Sequence, residues 1–188
     1  MRFCYADPPY LGYGEKHYGR HHPEALVWDD PKTHRDLINR LSDEWPDGWV
    51  LSLHAPSLRT LLPMCPADVR VGAACKGFAQ VRPMRVQYAW EPIIWRGGRK
   101  AKAPRPDAIL RDWIVYGNRP RARTDDGIMG RKPLEFCEWI FDVLGAEAGD
   151  ILDDLFPGNG SVTAAWHKRI SAPPQMAFSP LFAERPGE

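Results

Sequence analysis

Residues 2–10, RFCYADPPY, run a short apolar stretch straight into an aspartate, two prolines and a tyrosine. Residues 2–6 have the length and composition of a buried strand, and residues 49–53, WVLSL, have the same character. Between them, DPKTHRDLINRLSDEW places His34, Leu37, Ile38, Leu41 and Trp45 on one helical face. Pro31 suits a first helical turn, and Arg35, Asp36, Asn39 and Arg40 point outward. Strand, helix, strand is a parallel unit, whose ligands gather at the carboxyl ends of its strands. Asp7 to Tyr10 stand at such an end, and so does His54.

With 188 residues, 44% of them hydrophobic, the chain is sized for one core rather than two. The expected architecture is a single α/β domain over residues 1–170, mostly parallel in its sheet, followed by a proline-rich tail at 171–188. A formal net charge of +1 gives no whole-molecule argument for a polyanionic partner. Cys4, Cys65, Cys75 and Cys137 form no CxxC pair and read as reduced small hydrophobes. No apolar run approaches the ~20 residues of a membrane span, so a soluble, cytoplasmic protein is expected. Nineteen prolines and eight tryptophans point to stiff turns and aromatic faces rather than a helical bundle.

The rest of the chain follows the same alternation. SLRTLLPMC (57–65) predicts a short helix, and ADVRVGAAC (67–75) and MRVQYAWEPIIWR (84–96) predict strands, the second bent at Pro92. DWIVYG (112–117) predicts an edge strand. KPLEFCEWIFDVLG (132–145) predicts a helix with Leu134, Cys137, Phe141 and Leu144 on one face and Gly145 as its stop. DILDDLF enters a glycine turn, PGNGS, which opens the helix VTAAWHKRI.

Asp-Pro-Pro-Tyr has a chemical reading beside the plain one of a stiffened turn. A residue preceding proline is driven to extended backbone, so Asp7 and Pro8 are both fixed. A carboxylate and a backbone carbonyl, held beside an aromatic ring, match the two hydrogens of an amino group on a planar base and the face of that base. Such an amine is a weak nucleophile because its lone pair is drawn into the ring. Accepting both N–H groups favours the pyramidal geometry that frees the pair and stabilises the charge developing on nitrogen. DLFPGNG (154–160) gives a strand, a glycine turn and a helix, where backbone can approach a nucleotide-like ligand. No lysine follows the second glycine, which argues against a phosphate-cradling loop.

DPPY near the start, KP opening a helix and DLFPGNG near the end resemble the amino-methyltransferases that move a methyl group from S-adenosylmethionine to the exocyclic amine of adenine, in the order where the catalytic motif precedes the cofactor motif. The resemblance spans most of the chain. It implies a Rossmann-like methyltransferase fold with helices on both faces of the sheet, catalysis by Asp7, Pro8, Pro9 and Tyr10 with Tyr10 stacking on a flipped base, and a cofactor pocket lined by Asp154, Phe156, Gly158 and Gly160 with Lys132 as a further contact. DPPY favours adenine N6 in DNA; RNA adenosine and cytosine N4 remain open, as does a non-catalytic nucleic-acid-binding subunit. The chain departs from the pattern where many members carry a following strand with a ribose-holding acid. Glu184 is a poor substitute, and Asn159, Ser161 or His167 are the candidates, as in the similar adenosine methyltransferases that have tryptophan at the position of Tyr10. The resemblance also leaves open a homodimer or a partner subunit, and implies a bacterial or phage-infected host cell.

Three other features have two readings each. His17, His21 and His22 lack the converging ligands of a metal site, and no metal is expected. Gly12, Gly14 and Gly19 suggest a mobile loop that brings Lys16 and Arg20 to nucleic acid. Residues 96–123 hold nine Lys or Arg against two Asp. Read as a basic insertion at about 96–127, this segment offers Arg96, Arg99, Lys100 and Lys102, with Arg105, as phosphate contacts. Trp90 and Trp95 read as core, and Glu91 between them needs a cationic partner such as arginine.

Overall fold

A computed structural model of the chain describes residues 1–19, 22–77, 83, 85–101, 109–117 and 131–171. Six strands form one sheet: β1 (Arg2–Ala6), β2 (Gly48–Ser52), β3 (Arg70–Lys76), β4 (Trp90–Gly97), β5 (Trp113–Tyr116) and β6 (Ile151–Asp154). Their order is β5-β3-β4-β2-β1-β6. β1 pairs in parallel with β2 and β6, and β3 with β5, while β4 runs against both its neighbours. Five strands therefore point one way and β4 the other, the mostly parallel α/β sheet expected from the sequence.

β1 lies inside the sheet, and its alternation divides the core. Phe3 and Tyr5 face one cluster with Val50, Ile93, Phe136, Ile140 and Phe141; Cys4 and Ala6 face the other with Leu37, Ile38, Leu41, Trp45 and Leu51. Helices cover both faces. α1 (Pro31–Glu44) starts where the Asp30 carboxylate accepts the Lys32 N–H at 2.8 Å, with Pro31 in its first turn, and buries His34, Leu37, Ile38 and Leu41 as its spacing predicts. The 57–65 stretch forms α2 (Leu58–Leu61) flanked by 3-10 turns. α3 (Leu134–Leu144) and α4 (Ser161–Ser171) cover the opposite face.

Three expectations need correction. Leu134 is 43% exposed rather than in the buried face of α3, which is instead filled by Phe136, Cys137, Ile140, Phe141 and Leu144. β4 starts at Trp90 and not at residue 84; Val86 and Tyr88 have strand chemistry but are exposed. Trp95 is core, whereas Trp90 is 38% exposed. Within the basic segment, the expected edge strand is β5, the outermost strand of the sheet. Pro92 fits inside a central strand because its carbonyl accepts the Leu53 N–H at 3.3 Å just past the end of β2, where its missing N–H breaks no regular ladder.

All four cysteines are free thiols, Cys4 and Cys137 buried; burial pushes Cys137 up to about 12 and Cys65 to about 11. No helix among the described residues is long and apolar enough to cross a membrane. The tail from residue 172 onward, with Glu184, lies outside the described residues, as do Arg20, His21, Lys102 and Arg105.

Candidate functional site

β1 and β6 are adjacent and parallel, with Tyr5 opposite Asp154. The Asp7–Tyr10 corner and the Asp154–Gly160 turn therefore leave the same end of neighbouring strands. The Leu155 N–H donates to the Tyr5 carbonyl at 3.0 Å, which carries the ladder one residue beyond β6 before the chains part. β2 brings His54 to the same end, as do β3 with Lys76 and, because it runs in reverse, β4 with its first residues Trp90 and Glu91.

In the corner, Pro8 is buried and Asp7, Pro9 and Tyr10 are half-buried. The Tyr10 ring stacks on His54 with centroids 5.5 Å apart and planes 4° from parallel, and Tyr13 leans on the same imidazole at 4.7 Å. His54 is fixed in turn by a 2.7 Å bond between Nδ1 and the Ser57 hydroxyl. The plane of Tyr10 is thus set by its neighbours. Its hydroxyl donates to Asp7 Oδ1 at 3.3 Å, and Lys132 Nζ lies 3.1 Å from Asp7 Oδ2. Burial pushes the Asp7 carboxyl above the usual carboxylate range, against the pull of the Lys132 charge.

Lys132 joins the two motifs. Its backbone N–H donates to the Ser161 hydroxyl at 3.2 Å, beside the glycine turn, while its ammonium points to Asp7, Tyr10 and Glu91. Burial would lower the Lys132 pKa, but the charges of Asp7, Tyr5 and Glu91 outweigh it and hold the group well above an ordinary lysine. Glu91 pairs with two lysines, Lys76 at 2.7 Å and Lys132 at 3.6 Å, and not with an arginine. Burial acts to raise its carboxyl, and the two ammonium groups bring it below the usual value. His54, Lys76 and Glu91 thus join the site. For Glu91 the only sequence signal was the cost of burying an unpaired carboxylate; its direction depends on the reversal of β4.

In the second motif, Gly158 and Gly160 take φ of +51° and +74°, and no atom lies within 4 Å of where a Gly160 side chain would begin. Asn159 accepts the Ser161 N–H through its side-chain oxygen at 3.1 Å, an Asx turn that leads into α4. Phe156 packs edge to face on Trp28, 5.1 Å between centroids. Asp154 accepts the Thr163 hydroxyl at 3.0 Å through Oδ2, while its Oδ1 is buried with no partner. A buried acceptor left open at the mouth of a glycine turn suits an N–H or O–H of a nucleoside-like ligand. Between the start of α3 and α4, a cleft of about 430 Å³ is lined by Lys132, Pro133, Leu134, Ser161, Ala164 and Lys168, which accounts for the exposure of Leu134. His167 is exposed further along α4.

The remaining sequence candidates divide between the loop after Tyr10 and the far end of the sheet. The loop after Tyr10 is held at Gly14: the Asp29 carboxylate accepts the N–H groups of Gly14 at 2.7 Å and Glu15 at 3.0 Å, and Gly14 presses against the Ala25 carbonyl. Those two N–H donors lower the Asp29 pKa. Lys16 sits in this loop, exposed, with its ammonium 5.3 Å from the Tyr13 ring centroid. Arg96 and Arg99 lie at the opposite end of the sheet, since Gly97 pairs with Gly48 at the start of β2. Both are held in ion pairs, Arg96 with Asp68 at 2.8 Å and Arg99 with Asp150 at 2.7 Å. Lys100 follows them and is exposed. Among the described residues, no three His, Cys, Asp or Glu side chains are grouped to hold a metal ion.

No family model and no curated protein matches this chain. Among solved structures, it is similar to the crystal structure of an M1.HpyAVI–SAM complex, with a TM-score of 0.55 and 17% sequence identity over 89% of this chain and 76% of that one. The likeness is one of fold, and it agrees with the Rossmann-like arrangement described above.

Proposed function

We propose that the chain is a methyltransferase that uses S-adenosylmethionine to methylate the exocyclic N6 amine of adenine in DNA. The observation that carries this reading is the convergence of the Asp7–Tyr10 corner and the Asp154–Gly160 turn at one end of adjacent parallel strands. An amine acceptor and a nucleoside site are then neighbours. The fold shared with a SAM-bound protein supports the same cofactor here.

Asp154, Gly158, Gly160 and Ser161, with the backbone of Lys132, would hold the cofactor, and the open Asp154 Oδ1 fits one of its donors. S-adenosylmethionine supplies a methyl group on a sulfonium sulfur: the amine nitrogen bonds to that carbon as the C–S bond breaks and its electron pair stays on sulfur. The chain's own residues prepare the nitrogen. The Asp7 carboxylate and Pro8 carbonyl accept the two amine hydrogens, and Tyr10, its plane set by His54, stacks on the base. Asp7 offsets the positive charge that appears on nitrogen, and the surplus proton leaves to solvent or to Asp7. To reach this corner the adenine leaves its duplex stack, at a cost of a few kcal/mol.

Incubation with tritium-labelled S-adenosylmethionine and, separately, duplex DNA and RNA tests the reading. Label is expected in DNA, recovered as N6-methyladenine after digestion. Label confined to RNA, or recovered as N4-methylcytosine, would overturn the substrate; absence of label together with no calorimetric binding of the cofactor would overturn the activity.

A further inference from the structure

The corner that is to accept an amine already holds a cation. Lys132 Nζ lies 3.1 Å from Asp7 Oδ2, 3.4 Å from the Tyr10 hydroxyl and 3.6 Å from Glu91 Oε2, and its side chain is 9% exposed. Glu91 Oε1 binds Lys76 Nζ at 2.7 Å. Asp7, Lys132, Glu91 and Lys76 thus form a row of alternating charge that runs from β1 across to β4 and β3. A neutral amine competes poorly with an ammonium for a carboxylate, because charge-assisted hydrogen bonds are about twice as strong. Once the methyl group transfers, the nitrogen is itself positive, and an ammonium beside it is repelled. The reaction therefore needs somewhere for the Lys132 charge to go, and the free side of Glu91 is the acceptor within reach. Closing 3.6 Å to the ~2.8 Å of a charge-assisted pair takes a shift of less than ~1 Å.

Resting on the amine-transfer reading above, we propose that Glu91 is a positioning residue: it draws the Lys132 ammonium off Asp7 as the substrate amine enters, and Lys76 sets how much of the Glu91 charge Lys132 receives. Removing the Glu91 charge leaves Lys132 locked on Asp7. Removing the Lys76 charge gives Lys132 a larger share of Glu91 and opens the corner further.

The test compares the binding of two single-stranded oligonucleotides by fluorescence anisotropy at fixed salt, an all-deoxyadenosine 12-mer and the same 12-mer with purine in place of adenine. The two differ only in the exocyclic amine, and neither requires base flipping or knowledge of a recognition sequence. The wild-type protein is expected to prefer adenine roughly 10-fold, the worth of a hydrogen bond to a charged group. Glu91→Gln should reduce that preference to near unity, and Lys76→Met should raise it above the wild type. In a Lys132→Met background, Glu91→Gln should change nothing, since no ammonium is left to position. A wild-type protein without preference would overturn the amine-accepting corner and the proposed function with it. A wild-type preference that survives in Glu91→Gln, or falls in Lys76→Met, would overturn the role of Glu91 alone. If Glu91→Gln fails to fold by circular dichroism, the direction of the Lys76→Met change decides.

Discussion

Asp7 is under opposed demands. In the proposed reaction it must be ionised to accept an amine hydrogen, yet burial favours its neutral form, and the Lys132 charge with the hydrogen bonds from Lys132 and Tyr10 counters that. Its carboxyl consequently takes up a proton at a higher pH than an ordinary aspartate near 4. As pH falls, kcat/KM is expected to drop with a midpoint above that value. Asp7→Asn should abolish this acid limb and lower kcat by about 10²–10³-fold, with cofactor affinity by calorimetry unchanged. Parallel loss of transfer and cofactor binding would show that Asp7 belongs to the cofactor site. Asp7 and Tyr10 were legible in the sequence because four adjacent residues sit rigidly at a strand end. Lys132 was legible by position only. Its place before α3 puts the backbone beside Ser161 at the glycine turn, but chain position does not tell where four methylenes carry the charge, and they carry it to Asp7.

At the scale of elements, periodicity and capping served well where a helix has one covered face. α1 follows its spacing residue by residue, and α3 stops at Gly145 with φ of +62°. Two failures share a cause. Leu134, Val86 and Tyr88 have the side chains of buried elements but stay exposed; burial depends on what arrives from elsewhere in the chain. Gly145 is also constrained by tertiary packing, since a Cβ there would lie 2.8 Å from the Cβ of Arg99. Gly145→Ala is therefore expected to lower stability in urea unfolding by about 1–2 kcal/mol, from left-handed backbone strain plus a clash. Gly160→Ala meets open space at a similar φ and should cost less, about 1 kcal/mol. Equal losses at both positions would mean that backbone strain alone sets the cost.

Across the whole molecule, the order of strands was less legible than their number, and one reversal decides where charge goes. Read as another parallel strand, β4 would carry Arg96 and Arg99 to the carboxyl ends with Asp7. Running backwards, it carries them to the far end and brings Glu91 into the site. At that far end Arg99 binds Asp150, which also accepts the Met1 amine at 2.7 Å, and these donors overcome burial to bring the Asp150 carboxyl down to about 2. A carboxyl with a folded pKa below its unfolded value of 3.8 contributes stability above pH 4 and loses it as pH falls toward 2. Replacing Arg99 by alanine should therefore destabilise the protein near neutrality, with the gap from wild type narrowing between pH 4 and 2 as Asp150 is protonated in both. The same substitution combined with Lys100→Ala should leave the salt dependence of DNA binding unchanged, because neither position faces the site. Lys16, in the loop that follows Tyr10, is the contrasting position: Lys16→Ala should reduce the slope of log K against log salt by about 0.9 if it meets one phosphate. A slope that changes for the Arg99 and Lys100 pair and not for Lys16 would place DNA at the other end of the sheet, away from Asp7, and no base could then reach the corner.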